Sequence, residues 1–168
     1  MAYHRNQQLI QQSDRRYHVY VPDNPVAAQL PAIIVFHGGG QDVEVIAKRW
    51  GIDLDPAAPN PPVPPQVENY ILVFPEADPH LGNEWVHVKA GDSGSPDYDL
   101  RFVSDLITEL TTTPLSTPSG TDVTADAERL YAAGFSNGGG WCGSSRIRPC
   151  SRHSRDSPPW RRRWIRKR

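Results

Sequence analysis

The chain has 168 residues, enough for one domain with a hydrophobic core, and a net charge of −1. A hydrophobic share of 38% and a charged share of 22% lie in the range of globular proteins. No apolar run approaches the length of a membrane-spanning helix, and the first residues lack the apolar core of a signal peptide. We therefore expect a cytoplasmic protein with no membrane partner, although loss of a leader would leave the same pattern.

The small net charge combines two segments of opposite sign. Residues 1–140 carry eight Lys and Arg against eighteen Asp and Glu, a net charge of −10, whereas residues 141–168 carry nine Arg and one Lys against one Asp, a net charge of +9. This change divides the chain into an N-terminal domain over 1–140 and a basic tail over 141–168. Both cysteines, Cys142 and Cys150, lie in the tail. Two cysteines provide too few ligands for a zinc site, so we predict no metal site.

Four segments have the residue pattern of strands. Residues 16–22 alternate aromatic or branched residues with others, which predicts an early strand. The segments 32–36, 70–74 and 129–135 are largely apolar runs, typical of strands buried on both faces of a mostly parallel sheet. We expect these three strands to be adjacent and parallel.

Two helices are predicted between these strands. Residues 42–50 favour a short helix, and a second, amphipathic helix is predicted to end before Pro114. The apolar residues at helical spacing in this second helix are Leu100, Val103, Ile107 and Leu110. Six prolines within 53–66 predict an irregular connection. The alternation of strands and helices predicts an α/β fold with a mostly parallel sheet and flanking helices.

The segment GFSNG over 134–138 fits the pattern G-x-S-x-G and overlaps the end of the predicted strand over 129–135. In this pattern the serine stands on a sharp, strained turn between a strand and a helix, where its hydroxyl is exposed. Glycines on both sides let neighbouring backbone pack close to the turn. The motif therefore predicts that Ser136 is a catalytic nucleophile.

A glycine-rich loop, HGGG over 37–40, follows the predicted strand over 32–36. A loop of this kind donates a backbone N–H to the negative oxygen of a tetrahedral intermediate, together with the N–H of the residue after the nucleophile. Gly39 and Asn137 are then the predicted oxyanion-hole donors, and we expect Gly39 to lie beside Ser136. In the alternative interpretation, the glycines only form turns and the histidine of the loop has no catalytic role.

Four separated segments of the chain carry a resemblance: LPAIIVFHGGGQ over 30–41, VFPE over 73–76, DLRFV over 99–103 and RLYAAGFSNGG over 129–139. They resemble the family of polyhydroxybutyrate depolymerase-like and feruloyl-type esterases, which have the α/β-hydrolase fold. The resemblance implies the N-terminal part of an α/β-hydrolase domain that hydrolyses carboxylic esters through an acyl-serine intermediate, without a cofactor. It implies polyhydroxyalkanoate-type, feruloyl or simple acyl esters as substrates, and many members of the family are secreted.

The other members of a catalytic triad are not recognisable. A triad of this fold runs Ser, then Asp or Glu, then His along the chain, and the serine needs the histidine as its base. After Ser136 the chain offers only His153 and Asp156, in the reverse order and within twenty residues of the serine. We do not expect either residue to belong to a triad. The chain is therefore expected to be a truncated and inactive form of the esterase.

The composition changes abruptly near Gly140. Residues 141–168 contain no Ala, Leu, Val or Glu but nine Arg, five Ser and three Trp. Residues 139–145 are poor helix formers, although a helix should follow the nucleophile turn. Our hypothesis is a frameshift in a GC-rich gene, which leaves a disordered or out-of-frame tail. The alternatives are a solvated basic tail without function, and a non-enzymatic acidic α/β domain whose tail binds nucleic acid through Arg and Trp.

A few residues receive weaker interpretations. Trp85 could line an acyl pocket, but simple packing is the favoured interpretation. Asp97 and Asp99 lie near a predicted helix start, where a carboxylate favours the helix dipole. His18 and His87 have no evident partner in the sequence.

Overall fold

A computed structural model of the chain describes residues 3–10, 15–54, 69–86, 98–117 and 119–144. The described residues form one six-stranded sheet. Its strands, in chain order, are β1 (Tyr3–Ile10), β2 (Arg15–Pro22), β3 (Gln29–Phe36), β4 (Ile71–Pro75), β5 (Leu115–Ser116) and β6 (Asp122–Gly134). The helices are α1 (Val43–Arg49), α2 (Tyr98–Thr112) and α3 (Asn137–Ser144), and a 3-10 turn spans Pro79–Leu81.

The strand order in the sheet is β1-β2-β4-β3-β6-β5. β3 pairs in parallel with both β4 and β6, which confirms that the three predicted central strands are adjacent and parallel. The pairs β1–β2, β2–β4 and β5–β6 are antiparallel, so the expectation of a mostly parallel sheet is wrong and the sheet is mixed. Four residues separate β1 from β2 and five separate β5 from β6 along the chain, whereas a parallel crossover needs about a dozen residues or more.

Side chains of the central strands alternate between the two faces of the sheet. On β3, Ala32, Ile34 and Phe36 belong to a core that includes residues of α2 and α3, whereas Ile33 and Val35 belong to a second core with residues of α1. All five side chains are buried. Because helices cover both faces of the sheet, apolar residues are needed at successive positions of these strands, which explains their continuous apolar runs. The α/β arrangement expected from the sequence is therefore confirmed.

The first two helices agree with the sequence. α1 lies within the predicted segment 42–50, and α2 carries the predicted apolar stripe against the first core. Among the helices in the described part of the chain, none has the length and hydropathy needed to cross a membrane.

Helix α3 corrects the expectation for its sequence. Its residues, NGGGWCGS, include four glycines, each of which disfavours a helix by about 1 kcal/mol relative to alanine. Tertiary packing outweighs this preference, because Trp141 and Cys142 are buried in the same core as α2. The division of the chain between residues 140 and 141 thus falls inside a packed helix. Residues 145–168 lie outside the described ranges, and the hypotheses about the rest of the tail stay predictions.

Candidate active site

Ser136 occupies a sharp turn between β6 and α3. β6 ends at Gly134 and α3 begins at Asn137, so two residues connect the strand to the helix. Ser136 has a φ of 51°, in the left-handed region that residues with a Cβ rarely adopt, and it is exposed. Such a conformation costs about 1–3 kcal/mol and persists only where the surrounding structure imposes it. The strand, turn and helix thus present a strained serine to solvent.

Close backbone contacts require the glycines on either side of Ser136. A Cβ placed on Gly138 would lie 2.3 Å from the carbonyl oxygen of His37. One placed on Gly134 would lie 2.6 Å from the carbonyl carbon of Gly138. No side chain fits at either position without displacing backbone. The turn formed by residues 134–138, called the elbow below, is therefore packed against the carboxyl end of β3.

His37 is buried at the start of the 37–40 loop, and backbone groups occupy both of its ring nitrogens. The N–H of Ala77 donates to Nε2 (3.0 Å), so the proton of the neutral ring is on Nδ1, which donates to the carbonyl of Gly38 (2.8 Å). Burial lowers the pKa of His37 below its usual value. The neutral ring links the ends of β3 and β4, and neither nitrogen is available to act as a base.

The 37–40 loop contacts the elbow at Gly39. A Cβ placed on Gly39 would lie 3.2 Å from the Cβ of Asn137 and 3.3 Å from Oε1 of Glu84. Within the described part of the chain, no backbone acceptor takes the N–H of Gly39. Gly39 therefore packs against the residue that follows Ser136.

The side chain of Asn137 joins the elbow to residues 83–86, a contact that the sequence did not indicate. Its Oδ1 accepts the N–H of Trp85 (2.8 Å), and its Nδ2 donates to the carbonyl of Trp85 (3.1 Å). These two hydrogen bonds fix both the position and the orientation of the Trp85 backbone relative to the Asn137 side chain. The N–H of Gly40 donates to the carbonyl of Asn83 (3.1 Å), so the segment 83–86 also binds the 37–40 loop.

Trp85 packs in the core beneath this segment. Its ring centroid lies 4.9 Å from that of Phe36 and 5.6 Å from that of Trp141, and the side chain is 1% exposed. A side chain this buried does not line an open pocket. The packing interpretation of Trp85 is confirmed.

A buried ion pair supports the same segment. Arg15 pairs with Asp99, and their side chains are 7% and 2% exposed. Asp99 also accepts the N–H of Val86 (2.6 Å), and the guanidinium of Arg15 lies 4.0 Å from the ring centroid of Phe102. Asp99 does lie in the first turn of α2, but its main contacts are this ion pair and the backbone of residue 86.

No histidine in the described ranges hydrogen-bonds to Ser136. His18 instead pairs with Glu76 through Nε2 and Oε1 (2.9 Å), and this bond lowers the pKa of Glu76. In the described ranges, no group of three His, Cys, Asp or Glu side chains is arranged to hold a metal ion. Five residues considered in the sequence lie outside the described ranges: His87, Asp97, Cys150, His153 and Asp156.

A cavity of about 300 Å³ opens beside the 37–40 loop. Three carboxylates line it, and no Lys or Arg does so among the described residues. Its described lining residues are His37, Gln41, Asp42, Val43, Glu44, Glu76, Ala77 and Asn83. The surface next to the loop is therefore acidic.

Several solved structures are partly similar to this chain, among them three esterases. A thermostable esterase from Pseudomonas putida is 18% identical, with a TM-score of 0.45 over 84% of this chain and 37% of its own. The thermostable carboxylesterase EstE1 from a metagenomic library is 20% identical, with a TM-score of 0.41 over 83% of this chain and 38% of its own. The ester hydrolase EH1AB1 from the metagenome of Lake Arreo is 19% identical, with a TM-score of 0.40 over 83% of this chain and 36% of its own.

The chain thus spans little more than a third of the length of these esterases. No family model matches the chain, and no curated protein matches it. The more specific resemblance to polyhydroxybutyrate depolymerase-like and feruloyl-type esterases therefore stays a prediction.

Proposed function

We propose that this chain is the N-terminal part of an α/β-hydrolase domain, and that its function is the hydrolysis of carboxylic esters with Ser136 as the nucleophile. The observation that carries the proposal is the φ of 51° at an exposed serine between a strand and a helix. Strain of this kind is retained where a side chain has to be presented for chemistry. The close contacts of Gly134 and Gly138 support the same interpretation, because they hold the serine in this conformation.

The proposed reaction transfers an acyl group to serine and then to water. The Oγ of Ser136 attacks the ester carbonyl, and the electron pair of the carbonyl π bond moves onto its oxygen. The C–O bond to the alcohol then breaks, and the alcohol leaves with the proton that the serine gave up. Water attacks the acyl-serine in the same way and releases the carboxylic acid and the free serine. Neither half-reaction changes an oxidation state, and no cofactor is proposed.

The backbone N–H groups of Gly39 and Asn137 are the proposed oxyanion-hole donors. Gly39 packs against Asn137, and its N–H has no backbone acceptor in the described ranges. Asn137 is the first residue of α3, where the N-terminus of a helix favours negative charge. Loss of one such donor costs about 2.7–4 kcal/mol of transition-state stabilisation.

We further propose that the chain of 168 residues is inactive, because no histidine in the described ranges is placed to act as a base for Ser136. Backbone groups hold both nitrogens of His37, and His18 is paired with Glu76. A serine hydroxyl without a base is a weak nucleophile. A frameshift near Gly140 would explain the loss of the base, and the encoding DNA tests it. Another frame should continue an Ala- and Leu-rich pattern with an Asp and then a His, and the absence of such an open frame would reject the frameshift.

The proposed substrates are polyhydroxyalkanoate-type, feruloyl or simple acyl esters, as the resemblance of the four sequence segments implies. The test uses short p-nitrophenyl esters, whose hydrolysis is followed by absorbance. The chain itself should hydrolyse them no faster than its Ser136→Ala variant. The protein encoded once the reading frame is restored near Gly140, called the parent below, should be active. In this parent, Ser136→Ala should lower kcat by about a thousandfold or more.

The matched control is Ser104→Ala, which changes an exposed serine on α2 and should leave the parent's activity unchanged. If Ser136→Ala and Ser104→Ala had the same small effect in an active parent, Ser136 would not be the nucleophile. Serine-dependent turnover by the 168-residue chain would instead show that a base is present in it, and His153 would be the first residue to replace.

A further inference from the structure

A carboxylate lies beside the proposed oxyanion-hole donors. Oε1 of Glu84 is 3.3 Å from the point where a Cβ of Gly39 would be, and the Cβ of Asn137 is 3.2 Å from the same point. Glu84 is exposed, and no cation pairs with it among the described residues. Arg49, the described cation next to the elbow, lies 4.0 Å from the ring centroid of Phe135 instead.

A negative charge in this place opposes the proposed reaction on a neutral ester. The tetrahedral intermediate carries its own negative charge at the donors. Two like charges about 5 Å apart repel each other enough to slow a reaction by about fourfold in water and by about a hundredfold or more in the lower dielectric of a protein surface. A substrate that carries a positive charge would remove this repulsion, because its cation would pair with Glu84. The same carboxylate would add to the repulsion of an ester that carries an anion.

The neighbouring cavity has the same electrostatic character. Its volume of about 300 Å³ is enough for a small substrate group, and Asp42, Glu44 and Glu76 line it without a Lys or Arg among the described lining residues. The negative charge of Glu76 is partly compensated by His18, whose Nε2 lies 2.9 Å from Oε1 of Glu76. Asp42 and Glu44 have no such cationic partner in the described ranges.

We propose that Glu84 determines specificity at this site, and that it selects esters carrying a cationic group, such as a quaternary ammonium or amine, over neutral and anionic esters. The proposal rests on the proposed function, since it places the ester at Ser136. Glu84 acts on the bound ester through its charge and takes no part in proton transfer.

The test measures binding rather than turnover, and so does not depend on a base. The 168-residue chain with Ser136→Ala is titrated with acetylcholine and with 3,3-dimethylbutyl acetate, its uncharged isostere, and ligand-observed NMR reports both dissociation constants. At low ionic strength acetylcholine should bind about three- to tenfold more tightly. Adding Glu84→Gln should bring the ratio close to one, and so should about 0.5 M salt in the original chain.

The control is Glu128→Gln, which removes an exposed carboxylate in the middle of β6, six residues before the elbow begins at Gly134, and should leave the ratio unchanged. The salt series keeps the test valid if Glu84→Gln alters the fold. Equal binding of the two esters, binding of neither, or a cation preference that survives Glu84→Gln would each overturn the proposal. A preference that disappears with Glu84→Gln, together with a parent indifferent to Ser136→Ala, would instead leave the cation site standing and reject the nucleophile.

Discussion

Replacing Ser136 by glycine should give a more stable chain than replacing it by alanine, although glycine is normally the less stable choice. Residue 136 has a φ of 51°. Alanine keeps a Cβ in this left-handed conformation, whereas glycine has none and adopts it freely. The comparison of the two variants therefore isolates the strain at the elbow, because both remove the hydroxyl.

The expected difference follows from two opposing free energies. A Cβ in the left-handed region costs about 1–2 kcal/mol, and the greater freedom of glycine in the unfolded chain costs about 0.5–1 kcal/mol. The side chain of Ser136 is exposed, so burial contributes little to the difference. The free energy of unfolding of Ser136→Gly should exceed that of Ser136→Ala by about 0.5–1 kcal/mol.

Urea unfolding followed by tryptophan fluorescence measures this difference, since the buried Trp85 and Trp141 should report loss of the core. A shift of about 0.3–0.7 M in the urea midpoint is expected for a small domain. The matched control is Ser104, an exposed residue of α2, where glycine should be less stable than alanine by about 1 kcal/mol. If glycine were the less stable variant at both positions, Ser136 would not be left-handed and the elbow geometry would be wrong.

Three further changes test other parts of the structure. Gly138→Ala should lower the free energy of unfolding by more than about 2 kcal/mol, because overlap with the carbonyl of His37 exceeds the gain of about 1 kcal/mol in helix propensity; an unchanged urea midpoint would contradict this. Asp99→Asn should lower it by about 3 kcal/mol or more, since Arg15 would stay buried without its counter-charge, and a loss below about 1 kcal/mol would refute this account of the pair. The free energy of unfolding should also fall as the pH drops from about 7 to 5, because burial lowers the pKa of His37 in the folded chain. As the pH falls below 6.5, the usual pKa of histidine, His37 is protonated in the unfolded chain before it is protonated in the folded one, which favours unfolding. Urea midpoints at pH 7 and 5 measure this fall, which should be smaller for His37→Gln.

The central strands were predictable because their burial is visible in their composition. An apolar run of about five residues is typical of a strand that is covered on both faces of a sheet. β3, β4 and the end of β6 are such strands, because they lie between the two hydrophobic cores. β1 was missed because its sequence, YHRNQQLI, is largely polar, and β5 because it has two residues. The direction of the edge strands was also missed, since an apolar pattern has the same form in parallel and antiparallel strands.

The elbow was predictable for a different reason. The glycines that allow backbone to approach the elbow closely lie within two residues of Ser136, so a five-residue motif contains them. The contacts that position the elbow are remote in sequence: the Asn137 side chain binds the backbone of Trp85, 52 residues away, and Arg15 pairs with Asp99, 84 residues away. Helix α3 was not predicted because its glycines lower its intrinsic helix propensity. In the fold, Gly138 allows the helix to pack directly against the backbone at the end of β3.

The geometry of the proposed nucleophile and its activation are separable in this chain. The backbone packed against the glycines of the elbow comes from the end of β3 and from α3, and Asn137 binds the segment 83–86. A triad histidine would add only a hydrogen bond at Oγ, beyond this framework. The stability difference between the glycine and alanine variants therefore reports the elbow alone, and ester turnover reports the elbow together with a base. A chain with the strain but without the turnover would hold a formed nucleophile site that lacks its base, whereas a chain with neither would have lost the elbow itself.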